Sequence, residues 1–188
     1  MNSIKNDAPI IIGHYPFHER LVDELVPLLE NYEDKQNRYS NVKATMTEWN
    51  ITTPRIKSLQ KFVINEISSK LAGNMIGEGN LTPVFRDFWA NVYRKGDYAR
   101  PHNHIPAIWS FVYFLKSKWF YSPLIFDNYG QKIKPKNGRF VVFPSLLIHS
   151  VPKHRYGESR MTLSGNVYYD EVCKKEWLSE TEGYVSLI

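Results

Sequence analysis

Asn91-Val-Tyr-Arg-Lys-Gly-Asp-Tyr-Ala-Arg-Pro-His-Asn-His104 is the stretch on which the fold turns. It begins in a β-branched and aromatic run, breaks at Gly96-Asp97, and ends in two histidines separated by one residue. On an extended segment residues two apart project to the same side, so the imidazoles of His102 and His104 converge. The same alternation of short aromatic runs and Gly, Pro, Asn and Asp breaks continues downstream. Runs fall at Phe85 to Arg94, Ala107 to Leu115, Pro123 to Phe126, Arg139 to Phe143, Leu146 to Val151 and Arg160 to Tyr169. The breaks between them include Asn128-Tyr-Gly130, Asn137-Gly138 and Tyr156-Gly157. Many short strands punctuated by turn residues predict an antiparallel sandwich or barrel.

Upstream of Val84 the period changes. Leu21, Val22, Leu25, Leu28 and Leu29 recur at spacings of three and four, predicting a helix from Phe17 to Asp34. After Thr52-Thr-Pro54 a second apolar stripe, Ile56, Leu59, Phe62, Val63, Ile67 and Leu71, predicts a helix that stops at Gly73. The 188 residues carry no repeat or low-complexity tract. The expectation is one domain, 1–188, made of a helical scaffold (1–83), a β core (84–170) and a C-terminal segment (171–188).

Composition narrows the chemistry. The chain is 43% hydrophobic and 14% aromatic, enough for a packed core. A single cysteine, Cys173, excludes an internal disulfide and a cysteine-built zinc or iron–sulfur site, leaving histidine and carboxylate for any metal. The apolar run near the N-terminus is three residues long, so neither a signal peptide nor a membrane span is expected, and the cytoplasm is the expected location. The net charge of +5 favours an acidic partner. The basic residues are dispersed, however, with the densest run at Gln131 to Arg139, so a nucleic-acid surface has weak support.

A third histidine, His149, lies 45 residues beyond His104 in the apolar run Leu146-Leu-Ile-His-Ser-Val151. Three ligands on one face of a metal leave positions open for a cosubstrate and oxygen. Imidazole suits Fe(II), Zn(II) and Cu(II) alike, so ligand type alone does not choose the ion. Taken singly, each histidine reads as an ordinary core or rim residue. Arg160, eleven residues after His149, changes the balance because Thr162 shares its face of a strand. A guanidinium fork beside a hydroxyl is a receptor for a carboxylate. The plain alternative for Arg160 is a surface ion pair with Glu158 or another acid. His14, His18 and His154 read as surface or capping residues, and Trp109, Phe111 and Tyr113 as a packed face of one strand.

The segment Asn91 to His104, with Gly138-Arg-Phe-Val-Val-Phe-Pro-Ser145, His149 and Arg160-Met-Thr-Leu-Ser-Gly-Asn166, resembles the Fe(II)/2-oxoglutarate oxygenases of the prolyl-hydroxylase kind. The nearest resemblance is to a group of small oxygenases of bacteria and tailed phages whose proximal motif reads His-x-His. It covers about Val84 to Tyr169. It implies a mainly β fold, a double-stranded β-helix (jelly-roll, cupin-like) core with two N-terminal scaffold helices. It implies His102 and His149 as metal ligands, with His104 in the place of the usual aspartate, and Arg160 and Thr162 as the clamp for the far carboxylate of 2-oxoglutarate. Tyr93 is a further candidate for that clamp. A carboxylate such as Asp127 remains open as the third ligand in place of His104. The implied activity is a dioxygenase of the hydroxylase type using Fe(II), 2-oxoglutarate and O2, releasing succinate and CO2. Its primary substrate, whether protein, amino acid, nucleotide or metabolite, stays open. Two other functions fit the same residues: a three-histidine, cupin-like dioxygenase that works without 2-oxoglutarate, and a non-enzymatic jelly-roll binding or structural module.

Overall fold

Period-two alternation sends each strand's residues to two faces, and the computed structural model, which describes residues 9–33, 40–71, 81–171 and 185–186, shows where those faces go. The elements in chain order are β1 (Ile11–His14), α1 (His18–Glu30), β2 (Val42–Lys43), β3 (Thr45–Met46), β4 (Ile51–Thr52), α2 (Pro54–Leu71) and β5 (Leu81–Tyr93). They continue with β6 (Tyr98–His102), β7 (Trp109–Lys116), β8 (Leu124–Phe126), β9 (Gln131–Ile133), β10 (Arg139–Pro144), β11 (His149–Val151), β12 (Arg160–Glu171) and β13 (Val185–Ser186). A six-stranded sheet runs β1-β10-β7-β12-β5-β3, and a five-stranded sheet runs β2-β6-β11-β8-β9. Both are antiparallel, giving the sandwich with flanking helices that the strand pattern predicts and the jelly-roll core that the resemblance implies.

The larger sheet is buried on both faces. Its outer face carries Phe111 and Tyr113 of β7, Phe140 and Val142 of β10, and Met161 and Leu163 of β12, all in one core cluster with the helices. The helices meet that cluster through Leu21, Leu25 and Leu29 of α1 and Ile56, Leu59, Val63 and Ile67 of α2, each at most 1% exposed. These spacings of three and four are those of the apolar stripes read from the sequence, except that Leu28 of α1 is exposed, on the edge of the helix turned from the sheet's core cluster. The α2 start also follows the sequence signal: Thr53 Oγ1 accepts the Ile56 backbone N–H at 3.1 Å, and Pro54 fills the first helical position. Helix α1 is shorter than expected, ending at Glu30; Asp34 and Gly73 lie outside the described residues.

Alternation on the same strands sends the other set inward. Phe114, Val141 and Phe143 join Leu124, Phe126, Leu147 and Val151 in a second cluster between the sheets. The turn at Asn137-Gly138 forms where predicted, with Gly138 at φ 77°, a left-handed conformation that costs glycine nothing. Two findings go beyond the sequence reading. Strands β1 and β3 bring residues of the expected helical part into the larger sheet. Tyr98–His102 is a strand in its own right, paired with β11 so that His102 stands opposite His149. Of the C-terminal segment, Glu171 ends β12, and Val185–Ser186 forms β13, which pairs in parallel with β4.

Candidate metal centre and anion pocket

Antiparallel pairing places His102 of β6 and His149 of β11 side by side, and His104 reaches them from the loop just past β6. One ligand atom of each imidazole lies within 4.8 Å of the other two, a spacing that a single ion between them would satisfy. Two hydrogen bonds set which ring edge faces the group. His102 Nδ1 is 2.6 Å from the Arg100 carbonyl and His149 Nδ1 is 3.0 Å from the Leu147 carbonyl, each two residues upstream. A carbonyl only accepts, so Nδ1 carries the proton in both rings and Nε2 keeps its lone pair. The loop bearing His104 is tied down by its own backbone N–H, which donates to the Ser145 carbonyl at 2.9 Å. The ring of Trp89 stands 6.0 Å from that of His104.

Burial keeps these rings neutral. It pushes His149 down to about 3 and His104 down to about 4, with neighbouring imidazoles adding to the effect, and it lowers His102 as well. The ordinary value is 6.5, so below that pH the unfolded chain takes up protons that the folded chain refuses. Stability of the metal-free protein therefore falls as pH drops from about 6.5 towards 4. Thermal melting in a chelator should show this slope, and replacing His104 and His149 by glutamine should flatten it; an unchanged slope would contradict the assignment.

The Asp127 carboxylate takes no part in the cluster. It is exposed, and its Oδ1 accepts the Ser150 hydroxyl at 3.1 Å, because β11 pairs with β8 and carries Ser150, the next residue after His149, to that side. The third donor in the group is His104.

Arg160 is 1% exposed, at the start of β12 directly opposite Tyr93 of β5. Its guanidinium lies 4.7 Å from the Tyr93 ring centroid and 5.5 Å from that of Phe114. These aromatic faces offset part of the cost of burying a cation. They do not satisfy its N–H groups: Nε and Nη1 are buried and have no hydrogen-bond partner. The surface ion pair with Glu158 does not form, since Glu158 is exposed and binds Lys118 at 2.7 Å. Burial presses the guanidinium below its usual range while Tyr93 acts the other way, and burial raises the Tyr93 phenol.

One cavity is lined by His102, His104, His149, Arg160, Thr162 and Tyr93, so the structure brings together all six residues singled out from the sequence. Among the other residues that line it are Trp89, Asn91 and Ser164, to which the sequence assigns no role. Their signal was strand parity, for Trp89 and Asn91 share a face with Tyr93, and Ser164 with Thr162. The other histidines need correction. His18 is buried in α1 with Nδ1 2.7 Å from the Tyr113 hydroxyl, and His154 is 1% exposed with Nε2 2.7 Å from the Glu158 carbonyl. Neither is a surface residue, because each has a distant or local polar partner that makes burial tolerable. His14 is exposed as expected.

No protein-family model matches the sequence, and no curated protein matches it. Solved structures do match in shape. The prolyl-4-hydroxylase of Pseudomonas putida aligns with a TM-score of 0.64 at 15% identity, covering 86% of this chain and 93% of that one. A prolyl hydroxylase of Trichoplax adhaerens, in complex with a hypoxia-inducible-factor peptide fragment, aligns at 0.63 and 17% identity over 94% and 89%. The fold is that of the 2-oxoglutarate/Fe(II) oxygenases. The viral collagen prolyl hydroxylase of Paramecium bursaria Chlorella virus-1, in its 2-oxoglutarate complex, aligns at 0.61 and 15% identity over 84% and 94%. Among the described residues no helix is long and apolar enough to cross a membrane.

Proposed function

We propose that this chain is a non-haem Fe(II)- and 2-oxoglutarate-dependent dioxygenase that hydroxylates an organic substrate with release of succinate and CO2. The observation that carries the reading is Arg160: a buried cation with two unpartnered nitrogen donors, Nε and Nη1, in a cavity that also holds three neutral imidazoles. An unpaired buried charge is costly, and a ligand carboxylate is what would relieve it. A cosubstrate with a metal-chelating keto acid at one end and a carboxylate at the other fits both halves of the cavity. The fold likeness to 2-oxoglutarate oxygenases supports the same choice.

In this reading His102, His104 and His149 hold the metal, His102 and His149 through the edges turned away from the backbone carbonyls that hold their Nδ1. When bound, Fe(II) supplies oxygen activation, which this protein's side chains cannot provide. The triad contains no carboxylate, so its neutral donors leave the full charge of the ion to meet a dianionic cosubstrate. Arg160, with the Thr162 hydroxyl beside it, anchors the far carboxylate and thereby sets how the keto acid meets the metal. The apolar wall between the sheets excludes water from the reacting centre. Trp89, against His104, forms part of the wall that meets the primary substrate.

The test is isothermal titration of 2-oxoglutarate into anaerobic, Fe(II)-loaded protein. Micromolar binding that needs the metal is expected, followed by succinate on admitting oxygen. Absence of binding by metal-loaded protein would overturn the proposal. Oxygen uptake without succinate would instead assign the three-histidine site to a cupin-like dioxygenase whose substrate carboxylate sits on Arg160.

A further inference from the structure

Three cross-strand pairs form the floor of the cavity: Tyr93 with Arg160, Asn91 with Thr162, and Trp89 with Ser164. The central residue, Asn91, is 2% exposed and bonded on every side. The Trp89 indole Nε1 donates to its Oδ1 at 3.2 Å, and its Nδ2 donates to Ser164 Oγ at 3.0 Å and, at the long distance of 3.5 Å, to Thr162 Oγ1.

The indole decides the direction of this network. An indole N–H is a donor with no acceptor capacity, so the Asn91 oxygen must be the end that faces it. The amide N–H2 is then committed to β12, and the Ser164 hydroxyl oxygen is used as an acceptor. Its own proton is still to be placed, and among the described residues the Ser164 hydroxyl donates to no protein group. Ser164 lines the cavity, so that proton is available to a ligand in it. Successive residues on one strand face lie roughly 6.7 Å apart, so Arg160, Thr162 and Ser164 form a row of donors along β12.

We propose that Ser164 is a further cosubstrate-binding donor, and that Asn91 is the positioning residue that aims its hydroxyl proton into the cavity. The inference rests on the assignment of 2-oxoglutarate to this site and extends it. Arg160 and Thr162 take the far carboxylate, while Ser164, two and four residues further along the strand, donates to an oxygen of the same anion nearer the histidines. Asn91 touches no ligand in this scheme; it acts through the hydroxyl.

Titration of 2-oxoglutarate into the anaerobic Fe(II)-loaded full chain tests this with Ser164→Ala, Asn91→Ala and the double variant. Each single change is expected to weaken binding about five- to tenfold, the size of one hydrogen bond. The double variant should lie within about twofold of the weaker single variant, because the amide works only through the hydroxyl. Co(II) uptake, read from its absorption spectrum, should stay within about twofold throughout, which a general loss of structure would not allow. Should Asn91→Ala not fold, Asn91→Asp is the substitute: it still accepts from Trp89, but its carboxylate draws the Ser164 proton out of the cavity, and the same loss is expected. Wild-type binding that Ser164→Ala leaves within twofold overturns the inference, as do losses that multiply in the double variant. A wild-type protein that takes up metal but binds no 2-oxoglutarate overturns the cosubstrate assignment itself, and this inference with it.

Discussion

Arg160→Met is expected to abolish measurable 2-oxoglutarate binding while making the ligand-free protein more stable. The side chain is 1% exposed, and its Nε and Nη1 lack partners. In the free protein it is a desolvated cation packed against the faces of Tyr93 and Phe114, with the Tyr93 phenol as a polar neighbour and no counter-charge. Replacing such a charge by an apolar chain of similar length removes the desolvation cost and keeps the packing, a gain of about 1–3 kcal/mol by comparison with buried ion pairs exchanged for hydrophobic residues. In the complex the same guanidinium would form charge-assisted hydrogen bonds of about 1.5–3 kcal/mol each. Losing two weakens binding by a factor of at least about a hundred. Titration calorimetry and thermal melting measure the two halves. A variant that binds 2-oxoglutarate normally, or that melts well below wild type, would show that Arg160 is a structural residue.

The second large effect concerns the metal. His149→Ala should reduce Fe(II) or Co(II) affinity by more than the ten- to hundredfold that loss of a ligand's supporting partner brings. His149 is 4% exposed, directly opposite His102, with the Phe143 ring 4.8 Å away. Among the described residues the group holds no fourth histidine, cysteine or carboxylate to substitute for it. Asp127→Ala is the matched control. That carboxylate accepts from Ser150 and stands outside the three-histidine group, so metal affinity should stay within about threefold. Equal losses in the two variants would return Asp127 to the coordination set.

The comparison of β12 with its neighbours shows which part of the site a linear reading can reach. Arg160 and Thr162 were legible because parity on a strand is local: residues two apart share a face whatever the strand pairs with. The spacing of His102 and His104 is equally local, although β6 ends at His102 and it is the following loop, not strand parity, that turns His104 to the same side. Asn91 and Ser164 obey the same parity but carry no charge and bind no metal, so nothing in their identity marked them. Their role follows from pairing register, which sets Thr162 opposite Asn91 and Ser164 opposite Trp89. Register depends on contacts 71 and 73 residues apart in the chain. The burial of His18 and His154 escapes a linear reading for a related reason. A polar side chain is buried or exposed according to whether a partner awaits it, and the Tyr113 partner of His18 is 95 residues away.

The order of residues carries the class of fold, two amphipathic helices before an antiparallel β body, because hydrophobic period is written along the chain and needs no distant partner. It also determined the donor types available to a metal and the candidate carboxylate receptor. Tertiary structure alone decided that His149 lies beside His102 and that Asp127 is turned away. It alone decided that Arg160 is buried without an ion pair, in the same cavity as the histidines. Those outcomes depend on how two sheets are paired and stacked, a matter of long-range register and packing that no local pattern encodes.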